Sequence, residues 1–298
     1  MRGNLLKSFI GVGAAVAIMS TVSARPASRE PEIAAPRLTA AEIAELASEM
    51  QELYGIEPEP ETVLAEEAPA KPSAEQLERL RVIGRMAEGI RKVARNKGGG
   101  KWWECGRVYA EDEEADAAIE WSHRIVTLAW EYSDRGSETG FQINPWEVAG
   151  VAANECGFDR CALGKWPRKW GYENGTMKRS RYSISHSYEE IHATLTSEKA
   201  GDRWKKVGLD GAPLHVLWRC EGEKCWPKFN REGLPPIPME EVFSLGMGFE
   251  YNVREMKKRA IDNRTSRPSA YWKGYLCDWY DEKIRNWEKR LGARPEEV

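Results

Sequence analysis

Histidine is scarce in this chain, four among 298 residues, and no two stand at HxxxH spacing. No two cysteines form a CxxC motif. Zinc sites draw on such spacings, so no metal is expected, and no cofactor either. GxSxG, Walker A and GxGxxG patterns are also missing, which removes the readings of serine hydrolase, nucleoside triphosphatase and dinucleotide-binding enzyme. Strong basic charge is lacking too. Residues 74–298 hold 38 basic against 36 acidic residues, too mild an excess for a nucleic-acid partner. His186 and His192 are six apart, off any shared helical face, and read as surface histidines.

What is present divides the chain into three. Arg2 and Lys7 precede an apolar run from Phe9 to Met19 and the small-residue stretch Val22-Ser23-Ala24, the layout of a cleaved secretory signal over residues 1–24. The run is too short to span a bilayer, so no stable membrane insertion is expected after cleavage. Residues 25–100 read as an acidic, partly disordered arm: between Arg25 and Ser73 eleven glutamates face four basic residues. Thr39–Glu42 and Ser73–Gln76 have capping-box form and predict two short helices. The second carries Leu80, Ile83 and Ile90 on one face and stops at Gly98-Gly99-Gly100. All 13 tryptophans and all six cysteines lie beyond residue 101, which marks residues 101–298 as one folded, mainly α domain.

In an exported chain, cysteines default to disulfides. Local spacing favours Cys156 with Cys161 and Cys220 with Cys225, leaving Cys105 for Cys277. From Asp112 to Tyr132, Ala118, Trp121, Ile125, Leu128 and Ala129 recur at helical spacing. Asn144-Pro145-Trp146-Glu147 opens another helix, with an N-cap and proline at the first position. Its stripe of Val148, Val151, Ala152 and Glu155 ends at Gly157. A further helix is expected from Ser187 to Thr196.

Glu155 is therefore an acid on the apolar side of a helix, in its last turn. Burial and the carbonyl end of the helix both disfavour the ionised form, as a general acid at neutral pH requires. On local residues alone, an ion pair with Arg160, Lys165 or Arg168 is the alternative.

The stretch PWEVAGVAANECGFDRCALG resembles the catalytic segment of the soluble lytic transglycosylases and the goose-type lysozymes. In that family an apolar helix ends in Glu, usually followed by Ser, then Gly-Phe and small residues. Glu155, Gly157, Phe158, Asp159 and Ala162 match, and Cys156 stands at the serine position. The segment Gly208 to His215 is similar to the family's GAxGLMQ, with His215 at the Gln position. Ala270-Tyr271-Trp272-Lys273-Gly274 resembles AYNAG, with Trp272 replacing Asn. Residues 165–207 read as an insertion between the first two motifs.

The resemblance implies a lysozyme-like transglycosylase domain whose substrate is peptidoglycan glycan strands; the signal layout places it in the periplasm or secreted, and a monomer is expected. Glu155 would be the catalytic acid and base, with Tyr271, His215, Leu214 and Trp272 binding substrate. That reaction, a lyase chemistry at the MurNAc-GlcNAc β-1,4 bond, needs one carboxylate. A muramidase that adds water is the rival enzyme and ordinarily needs a second acid, for which Asp159 and Glu173 are nearest in sequence. A wall-binding module without activity is the third reading. Trp166, Trp170, Trp218 and Trp226 are further candidates for stacking on sugar rings.

Overall fold

Helix α1 (Ala74–Lys97) begins where the Ser73–Gln76 spacing predicts. The Gln76 amide donates to Ser73 Oγ (3.1 Å) and the Ser73 amide to Gln76 Oε1 (2.7 Å), the reciprocal pair of a capping box. The structure, a computed structural model, describes residues 73–133, 141–178, 185–198, 208–211, 213–265, 267–269 and 276–297. The expected signal, the acidic stretch, the Thr39 helix and the Ala270–Gly274 motif lie outside these residues.

The compact unit runs from Arg79 to Val298, so it starts before the boundary expected at residue 101. Ile83, Met86, Ile90, Val93 and Ala94 of α1 are buried in the main core, while Leu80 is 44 % exposed. Gly89 explains how this helix joins the domain instead of remaining an arm. A Cβ there would lie 2.1 Å from the backbone oxygen of Leu291, so only glycine permits the approach.

Two further helices follow the sequence closely. Helix α2 (Glu113–Glu131) buries Ala118, Trp121, Ile125, Leu128 and Ala129. Helix α3 (Pro145–Glu155) is capped by Asn144, whose side chain accepts the Trp146 amide at 2.9 Å. Helices α4 (Lys165–Glu173) and α5 (Tyr188–Thr196, capped by Ser187) occupy the expected insertion. Then come α6 (Met239–Val242), α7 (Met247–Asp262) and α8 (Asp278–Leu291), with a 3-10 turn at Pro295–Glu297. Helix α8 packs along α3, where Gly150 leaves room for Ile284.

The described residues are mainly helical with a small β component. Strands β1 (Trp103–Glu104) and β2 (Arg107–Val108) form a hairpin. Its two turn residues, Cys105 and Gly106, both have positive φ, as a two-residue primed turn requires. Strands β3 (Leu209–Gly211), β4 (Val216–Glu221), β5 (Lys224–Pro227) and β6 (Ile237–Pro238) form an antiparallel meander in sequence order. A second apolar cluster, including Trp218, Leu209, Ile237 and Ile191, sits under this sheet. Trp218 is fully buried and stacks on Tyr251, with ring centres 6.2 Å apart, so it serves the core and not a sugar.

The disulfides are Cys105–Cys161 and Cys220–Cys225, and Cys156 and Cys277 are buried free thiols. The expected Cys156–Cys161 and Cys105–Cys277 bonds are thus corrected. Cys156 closes α3 with its thiol donating to the carbonyls of Ala152 (3.2 Å) and Pro213 (2.9 Å). The chain then turns sharply and Cys161 meets the β1–β2 turn. No helix among the described residues is long and apolar enough to cross a membrane.

Candidate functional site

Glu155 is the last residue of α3 and half-buried, while Val148, Val151 and Ala152 of the same stripe are fully buried. The helix ends in two successive left-handed residues, Gly157 (φ 68°) and Phe158 (φ 62°). The second is costly for a residue with a Cβ, and its surroundings hold it there. Trp121 meets the Phe158 ring edge-on at 5.4 Å, and Trp102 Nε1 donates to the Phe158 carbonyl at 3.0 Å.

This turn reverses the chain so that residues 161–164 run beside β3. Leu163 bridges Gly211, and the Gly164 amide donates to the Asp210 carbonyl at 2.6 Å. A Cβ at Gly164 would lie 2.2 Å from Asp210 Oδ2, so glycine is required for this contact. The β3 segment is brought in this way to the end of α3. The Cys156 thiol fastens it there through Pro213, and burial pushes that thiol up to about 12, which keeps it a protonated donor.

His215 follows in a left-handed conformation (φ 53°) with its side chain 11 % exposed. Its Nδ1 lies 4.0 Å from Asp210 Oδ1. Burial pushes the imidazole below its ordinary value, and the carboxylates of Asp210 and Glu155 pull it back. The imidazole thus interacts with two acids, Asp210 and Glu155, and the 208–215 segment meets the helix that the first motif closes.

Helix α8 supplies the other side of the site. The Tyr280 hydroxyl donates to Glu155 Oε1 at 2.7 Å, and Asn154 Nδ2 donates to the same oxygen at 2.9 Å. Burial and the adjacent Glu155 charge push the phenol well above its ordinary value, so Tyr280 stays protonated and donating. The start of α8 is fixed by Asp281, which accepts from the Ser269 amide (2.7 Å), Ser269 Oγ (3.0 Å) and Arg267 Nε (2.6 Å). On the α1 side, the Lys97 ammonium donates to the Ala153 carbonyl. Desolvation lowers its pKa, while Cys156 and Glu155 act in the opposite direction.

The residues expected from sequence divide clearly. Glu155 and His215 come together. Leu214 is fully buried in the main core, so its side chain does not line an open groove. Tyr271 and Trp272 lie outside the described residues; among the described residues Tyr280 places a hydroxyl on Glu155. Trp166 is 44 % exposed, and Trp170 and Trp226 are half-buried. Asp159 is a poor second acid. It is buried, and its Oδ1 accepts the Cys105 and Cys161 amides, both at 3.0 Å. Glu173 is exposed at the end of α4 and paired with Lys169. His186 is not a surface residue as expected. It is buried between Glu190 (3.3 Å) and Tyr172 (3.4 Å), whereas His192 is half-buried against Glu223.

Among the described residues, one cluster of metal-ligand types stands out: Cys105, Asp159 and Cys161, whose donor atoms lie within 4.8 Å of one another. Its two sulfurs are joined in the disulfide and so offer no thiolate.

Sequence reasoning missed Tyr280, Asp210 and Lys97. A signal for Tyr280 was available, since Tyr280, Ile284, Trp287 and Leu291 share one helical face. Asp210 and Lys97 had none, because their approach depends on the turn at Gly157 and on the seating of α1. Compared with protein families, with curated proteins and with solved structures, the chain matches none.

Proposed function

We propose that this protein is an exported peptidoglycan lytic transglycosylase with Glu155 as its single acid and base. The observation that carries the reading is the setting of Glu155: a carboxylate at the end of a buried helix, its Oε1 held by the Tyr280 hydroxyl and the Asn154 amide. A group held by two donors keeps its orientation through proton transfer, the requirement for acid–base work. The disulfides and the N-terminal sequence support export.

In this scheme a protonated Glu155 gives its proton to the oxygen bridging N-acetylmuramic acid and N-acetylglucosamine, and that bond to C1 breaks as positive charge develops on the sugar. The resulting carboxylate takes the proton of the C6 hydroxyl. The C6 oxygen closes on C1, leaving a 1,6-anhydro end and restoring the acid. Tyr280 donates in both halves of the cycle. His215 lies 4.0 Å from Asp210 and feels the charge of Glu155.

A hydrolytic muramidase is the second reading, and one observation favours it. Asp210, within 4.0 Å of His215, is a second carboxylate on the segment fastened to the end of α3 through Gly164 and Cys156, and water-adding glycosidases use a second acid. Purified protein incubated with isolated cell walls distinguishes the readings by product mass: an anhydro end is one water lighter than a reducing end. Glu155→Gln is expected to abolish release of soluble fragments while wall binding persists. A wild-type chain that binds walls without releasing fragments would establish a binding module instead.

A further inference from the structure

Helix α8 is used on one side only. Tyr280, Ile284, Glu288 and Leu291 are buried, and this is the side that meets Glu155. On the outward side Trp279, Lys283, Asn286 and Arg290 recur at spacings of four, three and four, and all are exposed. They therefore form one stripe, about 16 Å long. Its first turn is apolar. Trp279 is 59 % exposed and Leu276, just before the helix, 61 %, the two most exposed large apolar side chains among the described residues.

The charge on the stripe has one sign. Lys283 and Arg290 carry it, and the Lys283 ammonium is near enough to Lys97 of α1 to oppose its charge. Trp287, at the stripe's edge, lies 5.1 Å from Lys97 Nζ and 5.0 Å from the Arg290 guanidinium carbon; an aromatic face attracts cations without neutralising them. The acids Asp278 and Glu282 lie toward the other edge, and Asp278 is paired with Arg267. A soluble polyanion or an acidic protein face would meet the cations but leave Leu276 and Trp279 in water. An anionic bilayer surface meets both needs. Its headgroup phosphates attract lysine and arginine, and its boundary layer takes up indole and leucine side chains.

We propose that the outward face of α8 docks the protein on an anionic lipid surface, with Leu276 and Trp279 in the boundary between headgroups and acyl chains and Lys283 and Arg290 on the phosphates. The contact is peripheral, inserts no helix across the bilayer, and does not depend on what Glu155 cuts. Trp279 and Tyr280 are neighbours with edge-on rings 5.7 Å apart, one on the outward face and the other on Glu155. Docking therefore holds the acid about 10 Å from the lipid, one helix diameter.

The two native free thiols are buried, so an environment-sensitive fluorophore can be attached to the full chain at Asn286→Cys, on the stripe, or at Lys224→Cys, exposed on β5. Vesicles of phosphatidylglycerol are expected to shift the emission of the first label to the blue, saturably, and to leave the second in place. Vesicles of phosphatidylcholine should shift neither. In the chain labelled at position 286, Lys283→Gln and Arg290→Gln should each raise the lipid concentration at half-saturation about fivefold, and Trp279→Ala about tenfold. No shift at position 286, an equal shift at position 224, or an equal response to phosphatidylcholine overturns the proposal. Polyglutamate is the further arm: a shift as large as that with lipid, or lipid binding indifferent to Trp279→Ala, would make this a face for soluble polyanions and would also overturn it.

Discussion

Two carboxylates four residues apart, Glu155 and Asp159, sit on either side of the left-handed turn at Gly157 and Phe158, and they are held in different ways. Glu155 is half-buried and held by side-chain donors from α3 and α8. Asp159 is 5 % exposed and held by main-chain amides of the two cysteines that form the Cys105–Cys161 disulfide. Burial pushes Asp159 up to about 7 against the pull of those amides. Burial near a motif does not in itself make a catalytic acid: Asp159 is buried, and its two amide donors belong to the disulfide-linked segments of the fold.

That contrast can be broken from either side, and the largest effect is expected at Glu155. Replacing it by Gln keeps the size and the two donor contacts but removes the exchangeable proton. Fragment release should fall about a thousandfold or more, while the thermal midpoint stays close to wild type. The converse is expected of Asp159→Ala. Loss of its acceptor strands one buried and one part-buried amide, about 1–3 kcal/mol for the buried one, so the midpoint of denaturant unfolding should drop, and activity per folded molecule should be retained. A variant at Asp159 that folds normally and cuts nothing would reverse the assignment of the two acids.

How much of this was legible in the sequence follows from the range of the forces involved. Helices α3 and α5 are set by the caps Asn144 and Ser187, and α2 by apolar spacing within a few residues, and all three appear where those local signals place them. Glu155 is on the same footing, because its position on the stripe and at the helix end is local information. What was not legible depends on distant partners. The Cys161 partner is decided by two positive-φ residues that turn the chain away from Cys156. The sheet from Leu209 to Pro238 uses strands of two to six residues, too short for alternation to declare itself. Helix α1 reads as an arm until the contact between Gly89 and Leu291 places it in the core. Tyr280 is 125 residues from Glu155 in sequence, and only the packing of α8 on α3 brings them together.

Asp159 also sharpens the comparison through pH. Its folded-state value of about 7 lies above the ordinary 3.8, so the folded protein holds this proton more tightly than the unfolded chain does. Its contribution is fully present below the unfolded value and is lost as pH rises from about 4 to about 7, with a slope approaching about 1.4 kcal/mol per pH unit. Glu288, buried and also pushed up to about 7, acts in the same direction. Asp159→Asn keeps an acceptor for the two amides and removes the titration. Unfolding free energy measured between pH 4 and 7 should therefore fall less steeply in this variant than in the wild type; parallel profiles would show that Asp159 is ionised throughout.

The smallest effect concerns what holds Glu155 and not the acid itself. Tyr280→Phe removes one hydroxyl donor and leaves the ring that packs beside α3. If Tyr280 only fills space, fragment release is unchanged. If it orients the carboxylate, loss of the hydroxyl lets Glu155 sample other rotamers, and the maximal rate of fragment release should fall about tenfold, equivalent to about 1.4 kcal/mol, with half-saturation by wall substrate unchanged. Stability separates the two cases. Loss of one net hydrogen bond costs about 1 kcal/mol, a small shift in midpoint, and an effect confined to stability would reduce Tyr280 to a core residue. A loss of rate without loss of fold would instead show that α8 reaches across to α3 in order to aim its last side chain.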